Sequence, residues 1–261
     1  MSARRVVNAV APFAGIVLFL VTWQVVVKAF SIERFVLPAP SAVFSELWHN
    51  PGRYFHNGWI TVWWSTIGFV VALISALAVA SLMAHSRLFE RAMLPLAVLV
   101  QVTPIVAYAP ALAIWLKTLS DGGRRVMIVV TAIVCFVPFL INATTGLKSI
   151  DPATHELLRS VNASRREIFF KLRVPHALPY LFSAARIGVG LALIGAVLGE
   201  WYSLRTTGLG SIIQQSQRNT QGVPAMWAAV FVLATIGGTA IILLTVLERI
   251  MLRWHSSQRS R

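Results

Sequence analysis

Apolar residues in this chain gather into long, nearly unbroken runs, and polar residues are confined to short stretches between them. A helix needs roughly 20 apolar residues to cross the hydrocarbon core of a bilayer. Six segments meet that requirement: about 10–27, 59–83, 94–119, 126–147, 178–202 and 224–247. The third carries Pro95, Pro104 and Pro110, and each proline inside a helix removes a backbone donor and predicts a kink. Between the first two spans lies LPAPSAVFSELW, where Pro38 and Pro40 forbid a straight helix. Ser41 is placed there to cap a short amphipathic helix with Trp48 at the interface. Trp59, Trp63, Trp64, Trp201, Tyr202 and Trp227 fall near span ends, as interfacial aromatics do. The fifth segment sets Ala184, Gly188, Ala192 and Ala196 on one stripe, with Gly195 and Gly199 beside it, a pattern that lets helix backbones approach closely.

One polar interruption is long and highly patterned: DPATHELLRSVNASRREIFFKLRVPHALP, from Asp151 to Pro179. Asp151 followed by Pro152 reads as an N-cap with proline at the first helical position. Ser164 and Glu167 have the spacing of a capping box that starts a second helix. Asn162 lies between them, where a tight turn needs a residue that tolerates positive φ. Two short helices joined by such a turn and held between spans make a rigid knob suited to docking a soluble partner.

Composition narrows the class further. Of 261 residues, 57% are hydrophobic and 12% charged, against about 25% charged in a soluble domain. The mean hydropathy of +0.72 agrees, and the chain reads as one polytopic domain, 1–261, all helical. Its net charge of +14 would suggest nucleic acid in a soluble protein, but in a membrane protein it reflects Lys and Arg gathered in cytoplasmic loops. With both termini inside, fourteen of the 23 lie on the cytoplasmic side, the knob's Arg165, Arg166, Lys171 and Arg173 among them, and eight on the other. That bias places loop 148–177 in the cytoplasm. Cys135, alone in an apolar run, permits no internal disulfide.

The knob resembles the coupling loop of permease subunits of ATP-binding-cassette importers, whose pattern is Glu-Ala-Ala, three residues, Gly, nine residues, Ile-x-Leu-Pro. In this chain the Glu is Glu156, the alanines are Leu157 and Leu158, the Gly is Asn162, and the last three defined positions are Leu172, Val174 and Pro175. Spacing is kept, while only Glu156 and Pro175 are identical. LPAPSAVFSELW, TPIVAYAPALAIWLK and ARIGVGLALIGAVLGEWYSLRTTGLG are similar to segments of the nitrate, sulfonate and taurine-type permeases, a group that includes carriers of thiamine-pyrimidine precursors. The resemblance runs from about Leu37 to Trp254. It implies a six-span, type I importer permease of the bacterial inner membrane, working with a second permease copy or homologue. It also implies ATPase subunits on the knob, which use ATP and magnesium, and an extracytoplasmic solute-binding protein. This chain has no GxxxxGK[ST] phosphate loop of its own and no cofactor is expected in it.

Two other classes compete. An intramembrane enzyme would need clustered chemistry, whereas His49, His56, His85, His155, His176 and His255 are scattered and no HExxH occurs. A secondary transporter or channel without an ATPase would carry ionisable groups within its spans. Arg186 and Glu200 are the two candidates, about 21 Å apart along one helix at ~1.5 Å per residue. Polar side chains within spans favour a bundle interior, so Gln101, Thr103, Tyr108 and Glu200 are the candidates for the solute path.

Overall fold

The protein is described by a computed structural model covering residues 3–117, 123–203, 206–218 and 222–252. Arg205, Arg253, Trp254, His255, Arg259 and Arg261 lie outside the described residues. Among those described there are eleven α-helices and no strand: α1 Ala3–Ala29, α2 Pro40–His49, α3 Pro51–His85, α4 Arg87–Val102, α5 Ile105–Lys117, α6 Arg124–Lys148, α7 Pro152–Ser160, α8 Arg165–Ile168, α9 Val174–Tyr202, α10 Leu209–Ser216 and α11 Val223–Met251. A π-helical turn, Phe169–Arg173, joins α8 to α9.

The centre is a three-helix stack in which α6 packs along both α3 and α9. On α3 the buried residues are Tyr54, Gly58, Thr61, Ser65, Gly68, Ala72, Ala76, Ala80 and Met83, a one-sided stripe at three- and four-residue spacing. The stripe on α9 is buried too, with Ala184, Gly188, Ala192 and Ala196 all inside the bundle. Small residues bring the backbones together. A Cβ on Gly68 would lie 2.5 Å from Cβ of Thr131, and one on Gly195 would lie 2.6 Å from Cα of Thr131, so α6 is clasped at Thr131 from both sides. Phe69 and Phe139 meet edge-on at 5.0 Å beside this contact. Outward faces remain apolar, with Leu18 and Phe19 on α1, Ile74 on α3 and Ile242 and Leu243 on α11 all exposed, a surface fit only for lipid or another apolar partner.

Four stretches are long and apolar enough to cross a membrane singly: Pro51–His85, Arg124–Lys148, Arg165–Tyr202 and Val223–Met251. With 27 residues, α1 is about 40 Å long at 1.5 Å per residue. The third expected span, 94–119, is not one helix: α4 and α5 meet at 98°. Pro104 causes the break, since it drives Thr103 out of the helical region, to φ −72° and ψ 120°. Pro95 and Pro110 lie inside α4 and α5 and are accommodated. The pair nevertheless traverses the bundle. Glu90, near the start of α4, ion-pairs with Lys148 at the end of α6, whereas Leu116, near the end of α5, packs with Val126 at the start of α6.

The remaining helices close the two ends. At one end, called here the knob end, α3 and α6 finish and α9 begins. At the other, α2 and α10 cover the start of α3 together with α11. Ser41 does not cap α2. Its N-cap is Ala39, Pro40 takes the first turn, and the Ser41 amide donates instead to Oε1 of Gln24 on α1 at 3.0 Å. The proline at N1 had displaced the cap by two positions.

Candidate functional site

The knob is built by its own short-range hydrogen bonds. The Asp151 carboxylate accepts from the Thr154 amide at 3.3 Å and from its hydroxyl at 3.2 Å, which starts α7. Asn162 then takes φ 54° and reverses the chain. Ser164 and Glu167 form the reciprocal capping box: the Glu167 amide donates to Ser164 Oγ at 3.2 Å, and the Ser164 amide donates to Glu167 Oε2 at 3.0 Å. Those donors, the Ser164 amide first and Lys171 next, hold the exposed Glu167 carboxyl well down, to about 2. Glu167 stands outside the membrane, because the 38 residues from Arg165 to Tyr202 span about 57 Å and overshoot a hydrocarbon core of about 30 Å. The second knob helix runs through the π turn into α9, which begins at Val174, ahead of the expected loop boundary at 177. Pro175 lacks an amide and would clash with the carbonyl of a regular preceding turn; the wider π turn at Phe169–Arg173 absorbs that misfit.

The root of the knob is fixed to the bundle. The His176 ring donates from Nε2 to Ser149 O at 3.1 Å, and Arg173 Nη1 donates to Ala84 O at 3.5 Å. A Cβ on Gly146 would lie 2.9 Å from Cα of Ala177, so the end of α6 and the start of α9 touch backbone to backbone. The residues of the coupling pattern divide accordingly. Glu156, Leu157 and Asn162 are exposed, Leu157 at 66%, while Leu158, Leu172, Val174 and Pro175 are half-buried. Val161 and Phe170 add apolar surface at 68% and 67% exposure. Such large apolar side chains on a polar, basic projection mark a face built to be covered.

The solute-path candidates are not brought together. Thr103 and Tyr108 line a cavity of about 510 Å³ at the α4–α5 bend, along with Ser75 from α3 and Ala132, Ile133 and Phe136 from α6. Gln101 is exposed and outside that lining. Glu200 sits at the far end, 1% exposed. Its Oε1 accepts from the Thr61 hydroxyl at 2.7 Å, and its Oε2 accepts from the Gly210 amide at 2.6 Å. The Leu209 amide donates to Thr61 Oγ1 at 3.0 Å, and the Gly208 amide to Asn57 Oδ1 at 2.6 Å. Gly208 has φ +109° and leaves no room for a Cβ, which would fall 2.2 Å from Glu200 Cδ. Glu200 therefore pins the start of α10 onto α3. Arg186 ion-pairs with Glu248 of α11, a partner that sequence reasoning missed although an acid in an apolar run was the available signal. Among the described residues no three His, Cys, Asp or Glu side chains gather to hold a metal.

A lipid-exposed helical bundle with a rigid polar knob at one end and a bent, cavity-forming helix pair at its side is the architecture of a membrane transport subunit. Residues 68–253 match the model of the family described as "binding-protein-dependent transport system inner membrane component", and the chain belongs to that family. It is 33% identical over 244 residues to the riboflavin transport system permease protein RibX of Chloroflexus aurantiacus, covering 93% of this chain and 89% of the relative. It is 28% identical over 256 residues to the formylaminopyrimidine transport permease protein ThiX of Halalkalibacterium halodurans, covering 98% and 100%. It is 24% identical over 238 residues to the putative aliphatic sulfonates transport permease protein SsuC of Bacillus subtilis, covering 90% and 84%. The chain is thus a multi-pass inner-membrane permease subunit of an ATP-binding-cassette transport system.

Proposed function

We propose that this permease forms the path for a small, flat nitrogen heterocycle, of the riboflavin or formylaminopyrimidine kind carried in the names of RibX and ThiX. In this reading ATPase subunits dock on the exposed face of α7 in the cytoplasm, a solute-binding protein delivers at the far end, and a second permease copy closes the open side of the bend cavity. The observation that carries the solute class is the lining of that cavity. Tyr108 and Phe136 supply aromatic walls and Ser75 and Thr103 supply hydroxyls, and among the described residues no Lys or Arg lines it. An aromatic, uncharged lining suits ring stacking and a few hydrogen bonds, whereas a nitrate or sulfonate path calls for a cationic partner. Hydrolysis belongs to the partner ATPase. The test is uptake into proteoliposomes holding the permease, its ATPase and its binding protein. ATP-dependent accumulation of labelled riboflavin or formylaminopyrimidine, absent without the ATPase and absent for the Glu156→Lys permease, is the expected result. ATP-driven uptake of nitrate or a sulfonate with neither heterocycle accepted would refute the solute class. Uptake unaffected by Glu156→Lys would refute the docking role of α7.

A further inference from the structure

At the knob end, beside the root of the knob, lies a second cavity of about 340 Å³. It is walled by Ser81, Leu82 and His85 from the last turn of α3, by Arg165 and Arg166 from α8, and by Phe170 from the π turn. Both arginines are exposed, and neither has an ion-pair partner among the described residues. The nearest knob acid in sequence, Glu167, is engaged with Lys171 and with the Ser164 cap. His85 donates from Nδ1 to Ser81 O at 2.7 Å, so that bond fixes its ring while Nε2 makes no described contact. Two unpaired guanidiniums beside an imidazole thus line one small cavity.

The other walls say what kind of anion fits. Leu82 is 56% exposed and continues the outward apolar face of α3, which includes Val71 at 44% and Ile74 at 63%. Phe170 is 67% exposed opposite it. With 35 residues, α3 is about 52 Å long and overshoots the hydrocarbon core, which leaves room for its last apolar turn and His85 at headgroup level. The cavity is therefore apolar over most of its lining, carries basic residues in its wall, and adjoins the exposed apolar face of α3. We infer that this groove binds the phosphate of an anionic phospholipid, with Arg165, Arg166 and His85 on the headgroup and Leu82 and Phe170 against the first acyl carbons. Guanidinium pairs suit phosphate oxygens, and basic pockets between membrane helices recognise anionic headgroups. Its occupant would tie the knob to the bilayer at the side of α3. The inference needs the groove at the bilayer surface and is independent of which solute is carried.

The experiment is native mass spectrometry of the full-length permease in mild detergent, titrated with phosphatidylglycerol, with phosphatidylcholine of the same acyl chains, and with inorganic phosphate. One phosphatidylglycerol adduct per chain is expected, with phosphatidylcholine bound far more weakly and no displacement by millimolar phosphate. Replacing both arginines (R165Q/R166Q) is expected to weaken the adduct roughly thirtyfold, two charges at about 1 kcal/mol each. R165K/R166K should retain most of the binding, and Arg249→Gln, at the same end but outside the groove, should leave it unchanged. Equal binding of the two lipids, or loss in the lysine pair as large as in the glutamine pair, would overturn the inference. Displacement by phosphate alone would show a free-anion site instead and also overturn it. So would a glutamine pair that keeps its lipid but no longer co-purifies with the ATPase, which would assign the arginines to the protein partner.

Discussion

Replacing Gly199 by alanine tests the packing of α9 on α6 at its tightest point. A Cβ there would sit 2.5 Å from Cα and 3.1 Å from N of Met127. Carbon atoms rest at about 3.5–4.0 Å, so the added methyl must push two helix backbones apart by about 1 Å. Overpacking costs about 1–3 kcal/mol, and the neighbour here is backbone that cannot rotate away, which argues for the upper half of that range. The same helix supplies the control. Gly190 has nothing within 4 Å of its virtual Cβ, and alanine there gains about 0.8–1.0 kcal/mol of helix propensity. Gly199→Ala makes the same propensity gain, which cancels, so the two variants should differ by about 2–3 kcal/mol. At about 2–4 °C per kcal/mol for a chain of this size, that is a gap of about 4–12 °C. Cys135 makes the assay simple: it is the sole cysteine, buried on α6, with Sγ 3.5 Å from Gly188 O of α9. A thiol-reactive fluorophore added during heating reads the opening of that interface. A Gly199→Ala midpoint at or above that of Gly190→Ala would show that the helices are not in backbone contact there, and the reasoning would fail.

Three further outcomes follow from the geometry. Asn162→Gly should keep the ATPase proposed to dock on the knob through purification, whereas Asn162→Val, straining a φ of 54° by about 1–2 kcal/mol, should lose it; equal recovery would mean the turn does not matter for docking. Glu200→Ala leaves the Gly210 amide without its buried acceptor, at about 1–3 kcal/mol, while the Thr61 hydroxyl falls back on Asn57 O; it should expose the 208–216 stretch to protease, and Glu200→Gln should partly restore protection. Thr131→Val removes a buried hydroxyl that has no hydrogen-bond partner among the described residues at nearly constant shape, so its thiol-labelling midpoint should rise by about 2–4 °C; a fall would show the hydroxyl to be satisfied.

Local signals reached the surface of the knob almost residue by residue, because caps and turns are decided within four residues. Asp151, Asn162, Ser164 and Glu167 adopt the geometry their spacing implied. What spacing could not express was the continuation of α8 into α9, since a π turn is the response of a whole helix to Pro175 rather than a preference of any residue in it. Three prolines in the third span looked equivalent, yet only Pro104 broke it; which proline breaks a helix depends on neighbours able to absorb the freed carbonyls. Glu200 was visible as an intramembrane acid, but its duty depends on Thr61, 139 positions away, and on a glycine turn that only tertiary structure brings beneath it. The small-residue stripe of α3 was as readable as that of α9 and is its counterpart across α6.

These contacts also decide where a load on the knob must go. The knob has two roots, and both lead to the same stiff unit: Gly146 of α6 meets Ala177 of α9 backbone to backbone, and Thr131 and Met127 repeat that contact higher up. Two helices so joined cannot slide by one side chain without a clash, because packed backbones admit discrete rearrangements rather than continuous ones. The α4–α5 pair is different. It packs on the bundle through apolar contacts such as that of Leu116 with Val126, turns through 98° at a proline, and borders a cavity. With the ATPase docked on α7 as proposed, force entering there would move α6 and α9 as one body, and the compliant element against which that body can be displaced is the bend carrying Thr103 and Tyr108. The wall of the proposed solute path and the proposed ATPase dock on α7 would thus be linked without any side-chain relay between them, through the rigidity of the glycine-packed pair and the softness of its neighbour.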